Sequence, residues 1–71
     1  MTKLGKYLAK KSINKSEVSR RTGISKARIS ELILTTSTKL RAEELYLIAL
    51  AIDVEPCEVF RQICGHLQLG S

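Results

Sequence analysis

Ile13-Asn14-Lys15-Ser16-Glu17-Val18-Ser19-Arg20-Arg21-Thr22-Gly23-Ile24-Ser25-Lys26-Ala27-Arg28-Ile29-Ser30-Glu31-Leu32-Ile33 decides the fold. Asn14 is a strong helix N-cap, and Glu17 three positions on gives the pattern of a capping box with Asn in place of Ser or Thr. The helix opened there carries Val18 inward and stops near Thr22, because Gly23 takes the left-handed conformation that ends a helix at least cost. Ser25 caps the next helix, with Ile29, Leu32 and Ile33 at i, i+3 and i+4. Val18, Ile24, Ile29 and Leu32 are spaced to meet in one small core, and Ser19 is small enough to let the pair approach closely. Two short helices across the turn Gly23-Ile24-Ser25 make a helix-turn-helix.

Upstream, Leu4, Tyr7, Leu8 and Lys11 share one stripe of a first helix that Thr2 can cap, and Ile13 enters the core from the joint. Lys3, Lys6 and Lys10 lie on its other faces and read equally well as polyanion contacts or as a solvated surface. Downstream, Thr35-Thr36-Ser37-Thr38 is a polar loop too short to separate domains. A fourth helix is expected over about residues 42–52. Asp53-Val54-Glu55-Pro56 breaks the chain, and Pro56 suits the first turn of a fifth helix. That helix is expected to carry Val59, Phe60 and Ile63 inward and to stop at Gly65. Nothing alternates with period two; residues 33–36 could form a short extended piece, but it has no partner strand. The fold expected is all-α, a compact five-helix domain spanning residues 1–71, with its core at about 4–64 and a tail at 65–71.

Seventy-one residues, 44% hydrophobic and 27% charged, describe one small globular domain rather than a disordered chain. At this size only about 60% of the unfolded surface is buried, which leaves little room for an enzyme's deep pocket. No apolar run reaches membrane-spanning length and no signal peptide is evident, so a cytoplasmic protein without membrane contact is expected. One His and two Cys are too few for a closed zinc site, so no metal and no cofactor are expected. Cys57 and Cys64 lie seven apart on one helix, too far for a disulfide, and read as small apolar packers. The net charge of +5 is unevenly spread: nine Lys or Arg face one acid in residues 1–28, and three face six acids in residues 29–71. Such a basic half calls for a polyanion.

The core consumes Ile29, Leu32 and Ile33, leaving Lys26, Ala27, Arg28, Ser30 and Glu31 on the outer face of the third helix. A lone exposed helix of this width fits the major groove of B-DNA. Lys26 and Arg28 can donate to guanine, Ser30 can donate or accept, Glu31 can accept from cytosine, and Ala27 can touch a thymine methyl. On this reading Arg28→Ala relaxes specificity at one base position. Lys15 and Ser16 start the second helix, whose amides can hold a phosphate. Ser25, and Thr35, Thr36, Ser37, Thr38 and Lys39 beyond the third helix, are candidate phosphate contacts. Arg20 and Arg21 come late in their helix and suit its dipole as well as they suit DNA. Glu17 reads as a cap, Tyr7 as a packer at the core or its rim, and His66 as an exposed tail residue.

Residues 14–19, Gly23-Ile24-Ser25, Arg28-Ile29-Ser30 and the run 45–54 resemble the lambda-repressor/Cro-like, or Xre-type, helix-turn-helix regulators. The resemblance covers about residues 4–63. It implies a lambda-repressor-like DNA-binding domain, and a small transcriptional regulator of bacterial, phage or mobile-element type. It places Lys26, Ala27, Arg28 and Ser30 at the DNA-facing positions. The sequence departs from the family pattern at Ser19 (usually Ala), Thr22 (usually large and apolar) and Asp53 (usually Gly), and in a longer loop that lacks Asn-Gly.

Residues 45–52 are apolar throughout. Leu45, Ile48, Ala49 and Ile52 make the inward stripe, which leaves Tyr46, Leu47 and Leu50 outside. With Cys64 and Leu67 these form a candidate homodimer interface, unless the tail folds back over them. The same patch supports an alternative, a protein-interaction adaptor of antitoxin-like or coactivator-like type. An enzyme is poorly supported, since His66 has no partner in a readable motif and no glycine-rich phosphate loop exists. An RNA reader would want more stacking aromatics. The partners expected are double-stranded DNA and a second copy, with no small-molecule ligand evident.

Overall fold

A computed structural model describes residues 1–70. Five helices follow one another: α1 (Lys3–Lys10), α2 (Lys15–Thr22), α3 (Lys26–Leu34), α4 (Ala42–Ala51) and α5 (Pro56–Cys64). There is no strand among the described residues, and no helix there is long and apolar enough to cross a membrane. Residues 33 and 34 continue α3, and only Thr35 is extended.

Most helices begin where a side-chain oxygen can take amides that have no partner within the helix. Thr2 Oγ1 accepts from Gly5 N–H at 2.9 Å, and Ser25 Oγ from Arg28 N–H at 3.1 Å. Asn14 Oδ1 accepts from Ser16 and Glu17 at 2.8 and 3.2 Å. The capping box expected there is only half formed, because the Glu17 carboxylate turns to the Arg20 guanidinium instead. Arg41 precedes α4 and has no side-chain acceptor, so Glu44 Oε1 reaches back to the Arg41 N–H at 2.9 Å. Gly23 ends α2 at φ +80°, as its position predicts. Gly65 ends α5 as expected, in a right-handed conformation at φ −62°, with its N–H donating to the Arg61 carbonyl at 2.7 Å. Left-handed turns fall instead on two residues with side chains, Ser12 (φ +57°) and Asp53 (φ +58°).

Val18, Ile29 and Leu32 meet in the main core with Leu4, Leu8, Ile33 and Ile48, and Ile13 and Ile24 pack at its edge. Leu45, Ala49 and Val59 form a second cluster, which Tyr7, Leu40 and Ile63 join to the first. Two inward expectations fail. Phe60 is 58% exposed and Cys57 is exposed, whereas Ile52 packs half-buried against the main core. Geometry explains Phe60. α5 docks through Val59 and Ile63, and the residue after Val59 is rotated by about 100° to the outside.

Two ties fix how α3 and α2 sit. Thr2 donates its N–H to the Ile33 carbonyl at 2.8 Å, and its hydroxyl shares a proton between the carbonyls of Leu32 (2.7 Å) and Ile33 (2.9 Å). Gly5 makes this approach possible, since a Cβ there would stand 2.5 Å from the Ile33 oxygen. Arg21 Nη1 donates to the Ala51 carbonyl at 2.6 Å, joining α2 to the end of α4.

Candidate nucleic-acid interface

Burial of Ile29, Leu32 and Ile33 sets the rotation of α3, and what faces outward follows from it. Lys26, Ala27 and Glu31 are exposed and Ser30 is half-buried. The turn holds this face steady. Ser19 Oγ donates to the Ile24 carbonyl at 2.6 Å, and Thr22 Oγ1 accepts from Ile24 N–H at 3.1 Å while donating to the Val18 carbonyl at 2.7 Å. Both residues depart from the pattern of similar sequences, and both spend their hydroxyls on the turn.

Lys15 Nζ reaches Ser30 Oγ at 3.4 Å, which brings the start of α2 beside the middle of α3. Lys15, Ser16, Ser25, Thr35, Thr36, Ser37 and Lys39 are exposed, while Thr38 is half-buried. The Ser16 and Glu17 amides, expected to be open to a phosphate, are taken by Asn14.

Arg28 has a different place from the one its sequence position suggests. Its Nε donates to Glu44 Oε2 at 2.8 Å and its Nη2 to Glu44 Oε1 at 3.0 Å. Nη2 also reaches the Lys39 carbonyl at 3.0 Å, and Nη1 lies 3.4 Å from Glu31. The guanidinium thus faces α4 and the loop before it. The Glu44 side chain is only 13% exposed, and the hydrogen bonds from Arg28 hold its carboxyl below the usual carboxylate range. Glu44 was invisible as a site residue; its one sequence signal is an acid three positions after Arg41, the residue that precedes the helix. Arg20 and Glu17 form an exposed pair in which Arg20 lowers the Glu17 pKa.

Tyr46 (54%), Leu47 (39%) and Leu50 (49%) are exposed on α4 as expected. Cys64 and Leu67, grouped with them from sequence, line an open groove of about 950 Å³ with Phe60, and the α4 trio does not line it. Tyr7 is half-buried with the Lys11 ammonium 5.3 Å above its ring, and its hydroxyl is buried without a partner. No group of residues that could hold a metal ion occurs among the described residues.

Five helices with a tight glycine turn between the second and third, and a polar outer face on the third, define a helix-turn-helix protein. The chain belongs to the Cro/C1-type helix-turn-helix DNA-binding domain family, whose model matches residues 3–67. No curated protein and no solved structure matches it. Membership makes DNA the partner and agrees with the lambda-repressor-like fold read from the sequence.

Proposed function

We propose that this chain is a sequence-specific transcriptional regulator of bacterial, phage or mobile-element type, acting in the cytoplasm as one domain. α3 enters the major groove of double-stranded DNA. Lys26, Ala27, Ser30 and Glu31 meet base edges, while Lys15, Ser16, Ser25, Thr36, Ser37, Thr38 and Lys39 hold phosphates. The observation that carries this reading is the division of α3: its apolar residues are spent in the core, and its outer face sits next to Lys15. Arg28 was expected at a base edge; its engagement with Glu44 favours a role as a brace that aims α3.

Two copies associate through Tyr46, Leu47 and Leu50 and read half-sites one helical turn apart, about 34–36 Å. That trio also favours the second reading, an adaptor that binds another protein there.

Selection from a pool of random duplex DNA at ~150 mM salt tests the proposal. An enriched near-palindrome supports a dimeric regulator. Recovery of unenriched DNA, or of none, overturns specific readout and favours the adaptor.

A further inference from the structure

The groove shares Thr36, Thr38 and Lys39 with the proposed phosphate contacts, but Lys26, Ala27, Ser30 and Glu31 on the outer face of α3 do not line it. Its floor and lips are apolar: Leu4, Leu40, Leu45, Phe60, Ile63 and Leu67. Phe60 and Leu67 are 58% and 66% exposed, so much of this apolar surface faces water. Every charged side chain lining it is a cation. Lys3 and Lys6 stand on the α1 side, and Lys39 and Arg41 on the segment leading into α4. Among the described residues that line it, none is Asp or Glu.

We propose that this groove docks an amphipathic helix of a partner protein, apolar on its buried face and acidic along both flanks. Docking an amphipathic helix in a groove satisfies an apolar floor through side chains at i, i+3, i+4 and i+7. Four cations from two separate segments, α1 and the stretch before α4, match several acids along such a helix, whereas a fatty carboxylate carries only one charge. Nucleic acid would leave the apolar floor unsatisfied. The proposal does not depend on how α3 reads DNA.

The probe is a labelled synthetic peptide of about 14 residues, ~21 Å long as a helix, with Leu at the apolar positions and Glu on the flanks. It is titrated with the full chain and followed by fluorescence anisotropy. Saturable binding is expected, weakened at least about tenfold when the peptide's Glu are changed to Lys or its Leu to Ser. The double variant Lys3→Glu/Lys6→Glu and the single variant Phe60→Ser should each weaken it by a similar factor. All three positions are exposed, so circular dichroism should show an intact fold. Lys15→Glu, on the DNA-facing side, should leave peptide binding unchanged.

Equal binding of the Leu-to-Ser peptide would reduce the effect to bulk charge attraction and overturn the proposal. So would failure to saturate, or a loss on Lys15→Glu as large as that on Lys3→Glu/Lys6→Glu. Sedimentation showing that Phe60→Ser dissolves a homodimer would assign the groove to a second copy instead. Binding to phosphatidylglycerol vesicles that Phe60→Ser abolishes, with no peptide binding, would assign it to lipid.

Discussion

Arg28 on α3 and Glu44 on α4 meet through two hydrogen bonds, Nε to Oε2 at 2.8 Å and Nη2 to Oε1 at 3.0 Å. The same carboxylate accepts the Arg41 N–H, and the same guanidinium reaches the Lys39 carbonyl. One ion pair therefore ties the start of α4 and the end of the preceding loop to α3, whose rotation its buried apolar residues set. A two-bond arginine–carboxylate contact constrains geometry as well as adding energy.

Glu44→Gln should lower the melting temperature by about 4 °C, a measurable shift for a domain this small. The effect should depend on pH in a defined direction. Arg28 holds the Glu44 pKa below its usual value near 4.5, so the stabilisation is full above that value. It is lost as pH falls through the lowered folded-state value. The gap in melting temperature between wild type and Glu44→Gln, followed by circular dichroism, should close on acidification below about pH 4.5. A gap constant down to pH 3 would show that the ion pair is not its source.

Gly5→Ala should destabilise the fold by about 1–3 kcal/mol, the cost of forcing a side chain into a filled contact. The added Cβ would meet the Ile33 carbonyl oxygen at 2.5 Å and the Ile33 Cγ2 at 2.9 Å. Backbone cannot swing aside as a flexible side chain can, so α1 must lift from the end of α3. Urea unfolding gives the number. A neutral result would mean that the two helices slide without loss.

Ser12→Gly should act in the opposite sense. Ser12 holds φ +57°, which costs a residue with a Cβ about 1–2 kcal/mol, and Gly accepts it at a smaller entropic cost. Its side chain is exposed, so little else is lost. A rise of a few degrees in melting temperature is expected.

The parts of this fold that could be read from sequence are those set within one or two turns of chain. Asn14, Gly23 and Ser25 cap and stop helices through contacts two to four residues away, and Ile29, Leu32 and Ile33 share a face by periodicity alone. Phe60 misled because an apolar residue beside Val59 looks like core until the docking angle of α5 is known. Arg28 and Glu44 are 16 residues apart, and Thr2 and Ile33 are 31 apart. Neither spacing leaves a local signal, so Arg28 read as a free cation. The apolar surplus of α4 was legible by counting, but the groove that Cys64 and Leu67 line depends on the packing of α5.

Lys26→Ala, Lys39→Ala and Arg28→Ala together test the division of labour at the DNA surface. Lys26 is exposed on the outer face of α3, and its loss should cost about 1–3 kcal/mol at one base position and relax preference there. Lys39 is proposed to hold a phosphate, and on that proposal its loss should weaken all sequences alike and reduce the slope of log K against log salt by about one. Arg28→Ala should also weaken all sequences alike, but with little change in salt slope and with a lower melting temperature, because what it removes is the brace on α3. Measured on the selected operator and on single-base variants of it, a loss of preference at one base on Arg28→Ala with stability unchanged would return Arg28 to the groove and show that its bond to Glu44 breaks on binding.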